Sequence, residues 1–184
     1  MKNVFEQVSA PNVFEEGSTP PAEGEGSFSR EMELVKQEMQ TAIKSGDAKL
    51  ALDVFLRLNE ILPNSRGEKS FDYVGVYAKD IMQKAIKAAS AESASYEDVK
   101  TMVEVYLSLR EYFPTSHNGE AFNYAGTYAK DIMRGVINAA KKENVDDAKL
   151  ARETLNEIRQ YLPTENRGKE FDYVGYYEKE INSL

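Results

Sequence analysis

Three stretches of the chain carry tyrosine, lysine and a carboxylate at one fixed spacing. They are FDYVGVYAKDIM (71–82), FNYAGTYAKDIM (122–133) and FDYVGYYEKEIN (171–182). Tyr73, Tyr77 and Asp80 stand at i, i+4 and i+7. Tyr124, Tyr128 and Asp131 repeat the pattern, as do Tyr173, Tyr177 and Glu180. Lys79, Lys130 and Lys179 accompany them, and Lys36 begins the same row upstream. Side chains of these types can exchange protons. On a helix the tyrosines form one stripe, and tyrosine is also enriched where proteins grip partners.

The rest of the chain supplies little for catalysis. His117 is its one histidine and cysteine is absent, so thiolate chemistry and Cys-ligated zinc are excluded. No Gly-rich phosphate loop, no Gly-x-Ser-x-Gly and no histidine–carboxylate–nucleophile set is present. A catalytic site written three times is also a poorer explanation than a building block stacked three times. The chain is therefore expected to be no enzyme, with no cofactor and no metal.

The elements that position the tyrosines repeat as well. Pro63, Pro114 and Pro163 each precede their phenylalanine (Phe71, Phe122, Phe171) by eight residues. Upstream of each proline lies a matching segment: DAKLALDVFLRLNEILP, DVKTMVEVYLSLREYFP or DAKLARETLNEIRQYLP. Ala51, Val54, Phe55, Leu58 and Leu62 make the apolar stripe of a first helix. Asp47, Asp98 and Asp147 stand where a cap or first-turn acid belongs. The proline ends that helix, a polar loop follows, and a second helix begins near the phenylalanine. In that second helix, Gly75, Gly126 and Gly175 recur at one place. A mid-helix glycine costs about 1 kcal/mol relative to alanine. Its recurrence predicts close passage of a neighbouring helix over the Gly-x-x-Ala pairs 75/78 and 126/129.

A worn copy of the second helix precedes the first unit. SFSREMELVKQEMQTAIK (27–44) aligns without gaps to SFDYVGVYAKDIMQKAIK (70–87). A polar terminal copy suits a capping helix. The expected organisation is an extended arm (1–26), a capping helix (27–45) and three repeats (46–96, 97–145, 146–184). The arm is rich in Gly, Pro, Ser and Glu and repeats Asn-Val-Phe-Glu at 3–6 and 12–15. That composition buries too little apolar surface to offset ordering entropy.

The stretch GDAKLALDVFLRLNEILPNS (46–65) resembles the second helix of a tetratricopeptide repeat. The matching residues are Gly46, Asp47, Ala51, Phe55, Leu58 and Pro63. The period here is 51 and then 49 residues against that family's 34. The resemblance implies paired-helix stacking and protein–protein binding. The expected fold is all-α: a seven-helix, right-handed, TPR-like α-solenoid of stacked antiparallel helix pairs behind an extended N-terminal arm.

The net charge is −8, and the arm holds half of it. No basic footprint for nucleic acid, no apolar run of spanning length and no signal-peptide pattern is visible. The expected place is the cytoplasm, or a large intracellular or viral-type assembly. The expected role is a non-enzymatic scaffold, adaptor or structural component that binds other proteins or copies of itself, with no nucleic-acid or membrane partner. The candidate contacts are Val4, Phe5, Val13 and Phe14 in the arm and Tyr73, Tyr77, Tyr124, Tyr128, Tyr173 and Tyr177 on the helices. The alternative is an acidic decoy or chaperone that masks a basic partner surface.

Overall fold

In a computed structural model of the chain, residues 23–66, 69–142 and 145–184 are described, without the side chains of 23–29, 65–69 and 142–147. Helix α1 spans Glu23–Ser45 and α2 Ala48–Leu58. Between them Gly46 takes a φ of +82°, and the Asp47 carboxylate accepts from the backbone N–H of Lys49 and Leu50 at 3.0 Å each. The expected cap is therefore formed. At the second unit Asp98 is instead the first-turn acid. Ser95 caps α4 (Tyr96–Leu109), and Asp98 closes a capping box back onto Ser95. In α6 (Val145–Ile158) the Asp147 side chain lies outside the described residues.

Each first helix ends earlier than its apolar stripe predicts. A 3-10 turn follows it at Asn59–Ile61, Arg110–Tyr112 and Arg159–Tyr161. The residue before each proline is extended, with ψ of 138°, 138° and 134° at Leu62, Phe113 and Leu162. Proline disfavours the helical region at that position. Leu62, Phe113 and Leu162 are nonetheless buried, since the tightened turn keeps them on the core side.

The polar loops are not irregular. Each is a small antiparallel hairpin: β1 (Ser65–Arg66) with β2 (Lys69–Ser70), β3 (Ser116–His117) with β4 (Glu120–Ala121), and β5 (Glu165–Asn166) with β6 (Lys169–Glu170). In the second and third, two consecutive residues are left-handed: Asn118 and Gly119, then Arg167 and Gly168. That is the two-residue turn whose twist matches paired strands. Asn-Gly is its usual sequence signal, and it was legible at 118–119. The hairpin brings the chain round in register, and the backbone N–H of Phe71, Phe122 and Phe171 donates to Asn64, Thr115 and Thr164.

The second helices are α3 (Tyr73–Ala89), α5 (Tyr124–Lys142) and α7 (Tyr173–Asn182). Each starts two residues past its phenylalanine. Seven α-helices are thus present among the described residues, and each packs against its sequence neighbours. α1, α3, α5 and α7 also touch in succession, as do α2 and α4. The core between them is one continuous cluster that fully buries Phe55, Met82, Tyr106, Met133 and Ile158. Each such large side chain stabilises the fold by roughly 1.5–3 kcal/mol. α1 begins four residues earlier than the expected boundary between arm and array. No helix of the described residues is long and apolar enough to cross a membrane.

The recurring glycine has a different reason from the one expected. It lies in the first turn, not mid-helix, and its N–H donates to the capping side chain: Gly75 to Asp72 Oδ1 at 2.8 Å, Gly126 to Asn123 Oδ1 at 2.8 Å, Gly175 to Asp172 Oδ1 at 2.9 Å. A Cβ there would stand 2.2–2.5 Å from the cap itself. At Gly75 and Gly126 a Cβ would also meet the following unit, at Pro114 Cδ (3.1 Å) and the Tyr161 carbonyl oxygen (3.0 Å). At Gly175 no second neighbour is that close. What passes close is the end of the next unit's first helix, not a helix face.

Gly126→Ala should therefore cost more than Gly175→Ala. Both gain helix propensity and displace a cap, but only Gly126→Ala presses on backbone. The expected excess is about 1–3 kcal/mol. Equal shifts of the denaturation midpoint in the two variants would remove the junction from this account.

Candidate interaction seam and grooves between the second helices

The second helices align their aromatic residues by cap, hairpin and register. Phe71, Phe122 and Phe171 lie 4.5 Å from Tyr73, Tyr124 and Tyr173, ring to ring. Those tyrosines lie 5.9, 6.0 and 6.1 Å from Tyr77, Tyr128 and Tyr177, one turn on. The lysine row meets this row from the unit before. Lys36 Nζ stands 5.5 Å over the Tyr73 ring, Lys79 4.6 Å over Tyr124, and Lys130 5.4 Å over Tyr173. Each such contact contributes about 0.5–1 kcal/mol when exposed, more when water is excluded. The two rows expected separately are one ladder, with each rung joining successive units.

This placement corrects the expected tyrosine-lined surface. Tyr77, Tyr124, Tyr128, Tyr173 and Tyr177 are buried and Tyr73 is half-buried. They form an interior seam because the preceding second helix lies across them. Burial is the main force on the hydroxyls of Tyr77, Tyr128 and Tyr177. It raises Tyr77, and pushes Tyr128 and Tyr177 up to about 12. Such hydroxyls keep their protons at neutral pH. The Tyr177 hydroxyl donates to the Lys130 carbonyl at 3.3 Å. Those of Tyr77 and Tyr128 have no partner in hydrogen-bond geometry. Gln40 and Gln83 act on them as nearby amides, lowering their pKa against the larger effect of burial. The geometry, which decides whether a bond is made, leaves both unsatisfied.

What remains open to solvent are grooves beside this seam. One lies between α1 and α3, about 540 Å³, and is lined by Lys36, Gln40, Lys44, Phe71 and Tyr73 among others. A second, about 390 Å³, lies between α5 and α7, and includes Arg134, Lys141, Phe171, Tyr173 and Tyr176. They occupy equivalent places in the repeat. Each joins cations from one second helix to aromatic edges from the next. Asp80 and Glu180 close the acidic side. Lys141 pairs with Glu180 at 2.8 Å. The grooves suit an elongated partner with apolar and charged groups. Tyr176, absent from the expected contacts, is 47% exposed and the most open aromatic of the second groove. Its signal in the sequence was the loss of a small residue: Val76 and Thr127 hold its place in the other units.

The remaining candidates lie elsewhere. Val4, Phe5, Val13 and Phe14 are outside the described residues. His117 is an exposed hairpin residue, but its Nδ1 is hydrogen-bonded to the Tyr124 hydroxyl at 2.6 Å. No group of histidine and carboxylate side chains with metal-ligand geometry occurs among the described residues.

Two expectations follow from the hydroxyls and the carboxylates of this seam. Tyr128→Phe removes an unsatisfied buried hydroxyl, so stability should hold or rise. Tyr106→Phe removes a hydroxyl that donates to the Ala125 carbonyl at 3.2 Å, and should cost about 0.5–1.5 kcal/mol. Denaturant melts that rank the two variants the other way would contradict the assigned bonding. Asp80 is raised, chiefly by desolvation. It binds its proton more readily folded than unfolded, so its favourable contribution is full below the unfolded carboxylate pKa. That contribution disappears as pH rises through the raised folded value. Asp80→Asn should therefore raise the melting temperature at pH 7 and change it little at pH 3. A gain confined to acid pH would reverse the sign.

Compared with protein-family models, with curated proteins and with solved structures, the chain matches none, so its role is read from this geometry.

Proposed function

We propose that the chain is a non-enzymatic helical-repeat scaffold, an adaptor or structural component of a larger protein assembly. Its units would stack as a right-handed array of the tetratricopeptide kind. The observation that carries this reading is the recurrence of one groove at two places along the second helices, each pairing cations of one unit with aromatic edges of the next. A recurring groove gives a partner two equivalent holds. Binding at both raises effective concentration, so modest contacts add to a durable complex. The aromatic edges supply apolar contact at small entropic cost, and Lys44 and Arg134 supply charge. The buried seam beneath serves rigidity.

The test uses two groove residues that the core does not need. Lys44 and Tyr176 are both exposed. The double change Lys44→Glu with Tyr176→Ala should leave the thermal melt within about 0.5 kcal/mol of wild type, as surface changes do. Affinity capture from native extract should retain a discrete protein on the wild-type chain, with at least a tenfold loss on the variant. Equal capture by both proteins would sink the groove reading. Turnover in a broad substrate screen would sink the non-enzymatic one.

A further inference from the structure

The N-terminal end of the array exposes apolar side chains at positions that later units bury or partly cover. At each junction a tyrosine at the end of the first helix packs on the unit before. Tyr112 lies 5.2 Å from Phe55, ring to ring, and Tyr161 lies 6.1 Å from Tyr106. The same position in the first unit is Ile61, which is 51% exposed. On the other layer, Tyr77, Tyr128 and Tyr177 are buried against the preceding second helix. Their counterpart in α1 is Leu34, 57% exposed. Leu50 is 47% exposed, while its counterpart Leu150 is partly covered. Among the described residues nothing packs on this end.

The opposite end is built differently. Leu52 and Val103 are buried in the first two units, and the third carries an exposed Arg152 at their position. A polar outer face is what a terminal unit needs in water. The N-terminal end lacks that change, yet it is the end from which residues 1–22 continue. α1 and α2 are antiparallel, joined by two residues, so the chain leaves α1 on the side of Ile61. α1 has twelve residues more than α2, an overhang of about 18 Å. Phe14 stands nine residues before α1, and nine extended residues reach about 30 Å. Return to Ile61 is within reach.

The repeat register points to the same segment. Pro20 precedes Phe28 by eight residues, as each repeat proline precedes its phenylalanine. Gly24-Glu25-Gly26-Ser27-Phe28 matches Gly67-Glu68-Lys69-Ser70-Phe71 at four of five positions. α1 runs as helix through positions that form a hairpin in later units, so the copy is no longer used as one. Residues 4–20 nonetheless hold the place in sequence of a first helix that would cover Ile61.

We propose that residues 3–15 of the chain fold back over this end and cover Leu34, Leu50 and Ile61 with Val4, Phe5, Val13 and Phe14. The segment takes the place of the missing preceding unit and closes the stack. This inference is independent of the scaffold reading, because Leu34, Leu50 and Ile61 line neither groove.

Methyl-labelled full-length protein tests it directly. Nuclear Overhauser contacts should join the Ile61 and Leu34 methyls to phenylalanine rings. Phe5→Ala with Phe14→Ala should abolish those contacts and shift both methyls, while sedimentation shows a monomer before and after. Methyl signals that are the same in wild type and variant would overturn the proposal. So would signals that move with protein concentration alongside a doubled mass, because a second copy would then be the cover. In a second measurement, Ile61→Asp, at an exposed position, should speed proteolysis within residues 1–22 roughly tenfold, the effect of losing about one buried phenylalanine. An unchanged cutting rate would also overturn it.

Discussion

The whole array rests on one desolvated contact: a tyrosine of each second helix buried against the second helix before it. Tyr77, Tyr128 and Tyr177 are each almost wholly removed from water. A tyrosine there offers a large apolar area, and its loss from water is the driving term. The cost is carried by the hydroxyl. Only Tyr177 recovers a bond, to the Lys130 carbonyl, and the other two hydroxyls remain unsatisfied. The apolar gain outweighs that cost because the ring is many times the size of its polar tip. The lysine of the preceding unit reinforces the geometry by lying over the neighbouring ring, so the same register is held twice.

Local chemistry at the hairpins and caps makes that contact repeatable. The extended residue before each proline turns the chain away from the first helix. In the second and third units two left-handed residues reverse it within the hairpin. The capping carboxylate or carboxamide then starts the second helix at a fixed place, with the glycine beneath it. A side chain at that glycine would collide with the cap, and in two units with the following unit as well. One residue type thus serves helix initiation and unit spacing together. Among the described residues, every left-handed position falls on glycine or asparagine apart from Arg167, which takes a φ of +54° beside Gly168.

The grooves are a by-product of this packing and the part open to use. Beside the buried tyrosines, the α1–α3 and α5–α7 pairs leave cations on one wall and aromatic edges on the other. Because one wall of each groove stands on this buried, packed seam, little ordering is needed before contact. That preorganisation lowers the cost of binding more than added area would.

Much of the architecture was legible in the sequence. The proline-to-phenylalanine spacing located three units, the apolar stripe of 51–62 marked the first helices, and Asp47 and Asp98 marked their starts. Seven helices in alternating order follow from period and pattern, since burial of one stripe every 3.6 residues is a local demand. Three features were decided only by tertiary packing. The tyrosine row reads as surface in one helix, because half of its stripe is polar, and becomes core only when the previous unit lies across it. The recurring glycine reads as a helix–helix contact, and its true neighbours are its own cap and, at Gly75 and Gly126, the end of the next unit's first helix. Ile61 and Leu34 are apolar residues whose burial the sequence leaves open, and they are exposed because no preceding unit is packed there among the described residues. In each case the residue type records how much space and water it can tolerate, while the neighbour that decides the matter comes from another unit.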